Sequence, residues 1–301
     1  MRASKAWLAA SCSGLADGRL CNLFIAAILG FMSTAATPAQ PTHDAGRPVA
    51  LVTGAARRVG RAIALELAAT GWDVAVHYRE SAEQARQACA DLARVGARAL
   101  AFRADLADEA AARALLPEAA AAFGRVDAVV NNASIFEYDQ AASFTQAAAE
   151  RHARINTIAP VLLAQALYAH LHARGARGCV VNLLDQKLWN PNPDYFSYTL
   201  SKAALREATV LLAQALAPTL RVVGVAPGVT LPSGPMDEAG FARAHALTPL
   251  GRSSTPEDVA QAVRYALTAS AVTGTTLLVD GGQNLAAQPR AVLYLAESRT
   301  G

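Results

Sequence analysis

Seven short apolar runs, set between longer helical stretches, constrain this chain most. They fall at residues 48–54, 73–77, 97–103, 128–131, 179–184, 221–226 and 275–279. Runs such as 48–54 and 179–184 are unbroken, the mark of strands buried on both faces in a parallel sheet. The stretches at 61–70, 81–94, 108–123, 150–174 and 196–217 read as helices, and Thr255-Pro-Glu-Asp258 reads as the capped start of another. Such alternation predicts an α/β fold: a doubly wound parallel sheet of about seven strands in a single domain. Pro117 should interrupt or restart its helix. Pro160 should kink the helix at 150–174 and free a carbonyl. Residues 231–250, with Pro232, Gly234, Pro235, Gly240 and Pro249, read as a long irregular loop, a common form for a lid.

Composition excludes several classes. Of 301 residues, 53% are hydrophobic and 17% charged, a globular balance. The net charge is +3 and the basic residues are dispersed, so no nucleic-acid surface is expected. Cys12, Cys21, Cys89 and Cys179 have no C-x-x-C pairing and no metal-ligand spacing, which suits reduced thiols in a cytoplasmic protein without a metal. Residues 1–46 differ from the rest. The apolar stretch at 20–32 follows Arg2, Lys5 and Arg19, as in a signal peptide with an overlong basic region. It falls short of the roughly 20 residues that span a bilayer, so no stable membrane association is expected. The reading preferred here starts the protein at Met32, with a disordered leader running into the domain at 47–301.

The first run ends at Thr53-Gly54, and a helix follows Arg58-Val59-Gly60. Strand, glycine turn and helix form the phosphate-binding half of a βαβ unit. Gly54 permits the tight turn, and Gly60 lets the helix approach strand and pyrophosphate. The second run ends in His77-Tyr-Arg79-Glu-Ser81, with no acid on the strand end to meet a ribose 2′-hydroxyl. Arg58 and Arg79 could instead face a 2′-phosphate, which predicts NADPH over NADH.

Tyr198 and Lys202 lie four residues apart, hence on one helical face. An ammonium beside a phenol favours the phenolate and should draw the tyrosine down from its usual pKa of about 10. Asp185 follows the fifth run, at the carboxyl end of a strand, where α/β sheets bind ligands.

Together these residues resemble the short-chain dehydrogenase/reductase family over about residues 48–284. The motifs fall in order: Thr53-Gly54 with Arg58 and Gly60, Asp105-Leu106, Asn131-Asn132-Ala133, Asn156, Tyr198 with Lys202, and Pro227-Gly228. The resemblance implies a Rossmann-type fold and an NADP-dependent oxidoreductase. It implies cofactor contacts from Gly54, Arg58, Val59, Gly60, His77, Arg79 and Ser81, and further contacts from Asp105, Leu106, Asn132, Ala133, Ser134, Tyr198, Lys202, Pro227 and Gly228. Most members carry serine or threonine where this chain has Asp185. That aspartate, with Asn132-Ala-Ser134-Ile-Phe136, is similar to pteridine reductases and dihydromonapterin reductases. In those enzymes the residue matching Phe136 stacks the pterin, and the one matching Ser134 touches ligand or cofactor phosphate.

The resemblance therefore implies a catalytic set of Asp185, Tyr198, Lys202 and Asn156, and a pterin-like substrate met by Ser134, Phe136, Asp185 and Tyr198. Tyr198 would supply the proton, Lys202 would hold the nicotinamide ribose and acidify Tyr198, and Asn156 would position a water. A carboxylate at 185 would repel the charge that develops on a carbonyl oxygen, but it can bind the nitrogens of a ring. If Asp185 only caps the loop before Trp189, a carbonyl or 3-oxoacyl thioester reductase is expected instead. A non-catalytic, cofactor-sensing protein is the remaining class, and retention of both Tyr198 and Lys202 argues against it. The resemblance also implies a homotetramer formed through the helices near 150–174 and 196–217. The tail after Gln283 carries apolar residues and should pack on the domain or on a neighbour.

Overall fold

The computed structural model describes residues 46–232, 237–286, 288–291 and 294. The leader at 1–45 therefore lies outside the described residues. Seven strands form one wholly parallel sheet in the order β3-β2-β1-β4-β5-β6-β7. They are β1 (Val49–Val52), β2 (Asp73–Tyr78), β3 (Ala99–Arg103), β4 (Ala128–Asn131), β5 (Gly178–Leu183), β6 (Leu220–Pro227) and β7 (Thr276–Val279). The helices are α1 (Arg58–Ala69), α2 (Ala82–Arg94), α3 (Glu109–Phe123), α4 (Gln146–Ala153), α5 (Ala159–Ala173), α6 (Phe196–Ala215), α7 (Glu238–Ala246) and α8 (Pro256–Thr268). The order reverses between β1 and β4, where such sheets open a ligand crevice.

Alternate strand residues feed two cores, one on each face of the sheet. Ala50 and Val52 pack with Ile63, Leu67, Leu92 and Val263 from α1, α2 and α8. Val49 and Leu51 pack on the other face with Leu115, Leu116, Leu163 and Leu167 from α3 and α5. Both faces are apolar, so the strands show no polar alternation and are readable as continuous runs.

Three helical expectations need correction. α3 runs unbroken through Pro117, which lies on the exposed face, so the carbonyl of Arg113 that it frees meets water. Leu115, Leu116 and Ala119 hold the buried face in place. The helix expected at 150–174 is α4 and α5 joined by a π-helical turn, Arg154–Ile158. Pro160 cannot donate to the carbonyl of Asn156, and the wider turn absorbs that lost bond. The stretch at 231–250 is not wholly irregular: α7 lies within it, started by Asp237, whose side chain accepts from the amide of Gly240 at 2.6 Å.

Two local devices set the crevice. Gly54 has φ +64°, and a Cβ placed on Gly60 would lie 2.3 Å from the Gly54 carbonyl oxygen. α1 therefore reaches the turn only because Gly60 has no side chain. At the other device, α6 begins after Tyr195, which has φ +55° and makes no side-chain cap. The cap comes from another loop. Asp139, 8% exposed, accepts from the amide of Ser197 at 2.9 Å and from its hydroxyl, and the Asp139 carbonyl accepts from Phe196 at 3.3 Å. A carboxylate against free amides at a helix N-terminus is favourable in both hydrogen bonding and dipole.

Within the core, Asn131 Nδ2 donates to Asn182 Oδ1 at 2.8 Å, and Asn182 Nδ2 donates to Thr209 Oγ1 at 2.9 Å. This polar thread fixes α6 against β4 and β5. Gly60→Ala should cost about 1–3 kcal/mol through overpacking against rigid backbone. Asp139→Ala should cost about 1–3 kcal/mol through loss of the cap and the unpaired groups left behind. Thermal unfolding checks both, at about 2–4 °C per kcal/mol for a domain of this size.

Candidate active site

The cap places Tyr198 in the first turn of α6, over the end of β5. Its hydroxyl donates to Asp185 Oδ2 at 2.9 Å. The other carboxylate oxygen accepts from the backbone amide of Lys187 at 2.8 Å, so Asp185 also caps the 3-10 turn Gln186–Leu188. Asp185 thus has both roles, capping and partnering the tyrosine. Burial raises its pKa, and the Lys187 amide and the tyrosine hydroxyl act against that rise. Tyr198 is pushed well above the ordinary phenol range, first by burial and then by the charge of Asp185.

Lys202 is anchored on the end of β5. Its Nζ lies 5.8 Å from the ring centroid and donates to the Leu183 carbonyl at 2.7 Å. Burial lowers Lys202 to about 8, with Asp185 opposing. Asn156 is fully buried. Its side chain accepts from the amide of Ile135 at 3.0 Å and donates to Ser201 Oγ at 3.0 Å. It therefore anchors the loop after β4 to α6 and makes no side-chain bond to Lys202. Ser134 Oγ donates to Asn156 Oδ1 at 3.1 Å, as part of the same joint.

Two adjoining clefts open at the carboxyl edge of the sheet. One, of about 410 Å³, is lined by Gly54, Arg58, Val59, Gly60 and His77, by Arg79 and Ser81, and by Asp105, Leu106, Asn132, Ala133 and Ser134. The other, of about 350 Å³, is lined by Phe136, Asp185, Tyr198 and Lys202 with Pro227 and Gly228. Arg58, Val59, Asn132 and Ser134 border both. Every residue expected at the cofactor or substrate thus borders one of the two adjoining clefts.

The crevice fits a dinucleotide phosphate. α1 starts at Arg58 without a side-chain cap and with no acid in its first turn, so its amides are available to an anion. Arg57, Arg58 and Arg79 stand on the same cleft. Arg58 Nη2 donates to the Pro232 carbonyl at 2.9 Å, and Arg79 pairs with Glu80 at 3.2 Å. His77 is different. It is buried, its Nδ1 accepts from the Gly54 amide at 3.1 Å and its Nε2 lies 3.1 Å from the Ala104 carbonyl. It laces the turn after β1 to the end of β3, and burial lowers its pKa.

Phe136, expected from its motif, stacks on Tyr195 at 3.9 Å and meets Tyr198 edge-on at 4.7 Å. Other residues around it have no local sequence signal. The Lys187 ammonium is buried behind them and donates to the Asp194 carbonyl. The Asp194 carboxylate accepts from Arg290 Nε at 2.8 Å and from the Ala291 amide at 2.7 Å. Tyr294 packs edge-on to Tyr138 at 5.8 Å. The described part of the tail therefore packs on its own domain, and Gln288 and Ala291 form one wall of the second cleft.

Residues 54–284 match the family profile described as enoyl-(acyl carrier protein) reductase. The chain is 37% identical over 245 residues to the granaticin polyketide synthase putative ketoacyl reductase 2 of Streptomyces violaceoruber, covering 79% of this chain and 96% of that protein. It is similar to the solved FolM alternative dihydrofolate reductase 1 of Brucella canis, complexed with NADP. That match has 38% identity and a TM-score of 0.75, over 80% of this chain and 96% of the other. A short chain dehydrogenase from Burkholderia cenocepacia J2315 in complex with NADP is 35% identical with a TM-score of 0.72, over 79% of this chain and 98% of the other. With the fold, the Tyr198–Lys202 pair and the glycine turn already placed, these likenesses establish that the chain belongs to the short-chain dehydrogenase/reductase family of oxidoreductases.

Proposed function

We propose that the protein is an NADPH-dependent reductase that reduces a C=N bond of a pterin-like ring. The observation that carries this is the 2.9 Å bond from Tyr198 to Asp185 on the floor of the second cleft. When bound, the nicotinamide would supply hydride at its C4 position. The protein supplies the rest. Lys202 holds its ammonium at the crevice, one hydrogen on the Leu183 carbonyl and the others free for ribose hydroxyls. Phe136 offers a half-exposed aromatic face beside Asp185. Tyr198 holds a proton over the reacting ring, and a protonated Asp185 can replace that proton as it leaves.

The raised pKa of Asp185 and the still higher one of Tyr198 give this pair a direction. Below the Asp185 value the pair carries two protons and can release one. Above it, proton loss would leave a phenolate beside a carboxylate, which is unfavourable. Turnover of a pterin should therefore fall as pH rises through the Asp185 ionisation. The Asp185→Asn enzyme should lose that limb of the profile, and Asp185→Ser should lose most pterin turnover. A pH profile of kcat for the three proteins checks this.

Arg57, Arg58 and Arg79 on the first cleft support NADPH over NADH, since a guanidinium suits a 2′-phosphate. The Brucella FolM likeness, with its NADP, supports both cofactor and substrate class. A second reading, reduction of a ketone or 3-oxoacyl thioester, is favoured by the Streptomyces ketoacyl reductase likeness. It must accommodate a carboxylate where oxyanion charge would develop.

The faces of α5 and α6 support assembly into a homotetramer, with Leu200 and Leu211 exposed on α6. Among the described residues no helix is long and apolar enough to cross a membrane. The free thiols of Cys89 and Cys179 are compatible with the cytoplasm, and burial pushes Cys179 up to about 12.

The deciding assay measures oxidation of NADPH and of NADH with a dihydropterin and, separately, with a simple ketone. Preferential turnover of the pterin with NADPH is expected. Turnover of the ketone alone would retain the Tyr198–Lys202 chemistry and overturn the pterin assignment.

A further inference from the structure

The tail after β7 is tied at several points to the loop that follows Asp185. Asn190 Nδ2 donates to the Ala286 carbonyl, and Asn190 Oδ1 accepts from the Gln288 amide at 3.3 Å. The Asp194 carboxylate takes Arg290 on both oxygens, Nε at 2.8 Å and Nη2 at 2.8 Å, and accepts from the Ala291 amide at 2.7 Å. The Arg290 guanidinium lies 4.6 Å from the centre of the Tyr294 ring. Ala291 and Tyr294 in turn pack against Tyr195 and Tyr198.

The Arg290–Asp194 pair is the tie on which the others depend. The Asp194 side chain is 1% exposed, whereas that of Arg290 is 42% exposed. A buried carboxylate is unfavourable unless it is paired and hydrogen-bonded. Among the described residues, the hydrogen bonds to this carboxylate all come from the tail. Lys187 does not replace them, since its ammonium is turned to the Asp194 carbonyl. Lifting the tail would strand the charge, so a bidentate guanidinium holds the segment down.

We infer that Arg290 and Asp194 are positioning residues for the substrate: their ion pair holds the tail so that Gln288 and Ala291 complete the wall of the second cleft. The inference rests on the proposed function, which puts the hydride acceptor in that cleft. It adds a segment that lies outside the catalytic set. The effect is selective. The tail borders the second cleft, and no described tail residue lines the first, where the cofactor phosphates would sit. Tyr198, Lys202 and Asp185 are held by α6 and β5 and keep their places without the tail. Loosening the tail should therefore weaken substrate binding while sparing the cofactor and turnover at saturation.

The test uses the full chain with NADPH and 7,8-dihydrobiopterin, and the variants Arg290→Gln and Arg290→Lys. Arg290→Gln should raise KM for the dihydropterin about fivefold, with kcat and the NADPH Kd within about twofold of the unaltered protein. Arg290→Lys keeps the charge and should recover most of the loss. If Arg290→Gln fails to fold, a chain ending at Ala286 and carrying Asp194→Asn, which strands no charge, carries the same expectation. An unchanged KM, or losses in kcat and NADPH affinity that match the rise in KM, would give the pair a purely structural role. Either result would overturn the inference and leave the pterin assignment standing. No turnover of the dihydropterin by the unaltered protein would remove both.

Discussion

The contact between Asp139 and the start of α6 is the constraint on which the chemistry depends. Tyr195 precedes the helix in a left-handed conformation and offers no cap of its own. Asp139, fifty-eight residues away from Ser197, supplies it. The residue at Tyr195 can then be chosen for what its ring does. It lies against Phe136 and holds that side of the cleft while the next turn carries Tyr198 and Lys202. Strain at one residue, roughly 1–3 kcal/mol for such a conformation, is tolerated because the carboxylate fixes the helix independently.

A second device follows from burying charges in sequence. Asp185, Lys187, Asp194 and Arg290 alternate in sign from the cleft floor to the tail. Burial lowers the pKa of Lys187, while Asp185 and Asp194 hold it up. The Arg290 guanidinium and the Ala291 amide draw Asp194 down against the cost of its burial. The tail wall and the Asp185 side chain thus share one electrostatic chain. Because its members are buried or half-buried, salt screens them less than it would a surface pair.

The strands were legible because both faces of this sheet are covered, and burial on two sides leaves an unbroken apolar run. The crevice was legible from the glycines and the polar residues at strand ends, whose positions follow from the parallel topology. Pro117 misled because a proline on an exposed helical face releases only a carbonyl that water can meet. The stretch at 231–250 misled because its prolines and glycines conceal α7, whose Asp237 cap was the available signal. Asp139, Lys187, Asp194 and Arg290 had no such signal. Each acts through a partner set by tertiary contact, with sequence separations such as 58 and 96 residues. Asn156 marks the boundary between the two cases. Its presence in the motif was readable, whereas its side chain's task of joining the loop after β4 to α6 required coordinates.

The aspartate at 185 brings these strands of argument together. A hydroxyl at that position would be a neutral donor, and Tyr198 could then be lowered by Lys202. A carboxylate reverses the balance: it accepts a hydrogen bond from the tyrosine hydroxyl, holds the phenol neutral and takes up a raised pKa of its own. On the proposed function the pair serves as a reservoir of protons and a poor stabiliser of negative oxygen. Hydride addition to a carbonyl needs the second property, and addition to a ring C=N bond needs the first. On the function proposed above, one residue at the end of β5 turns the same fold, tyrosine and lysine from oxygen to nitrogen acceptors.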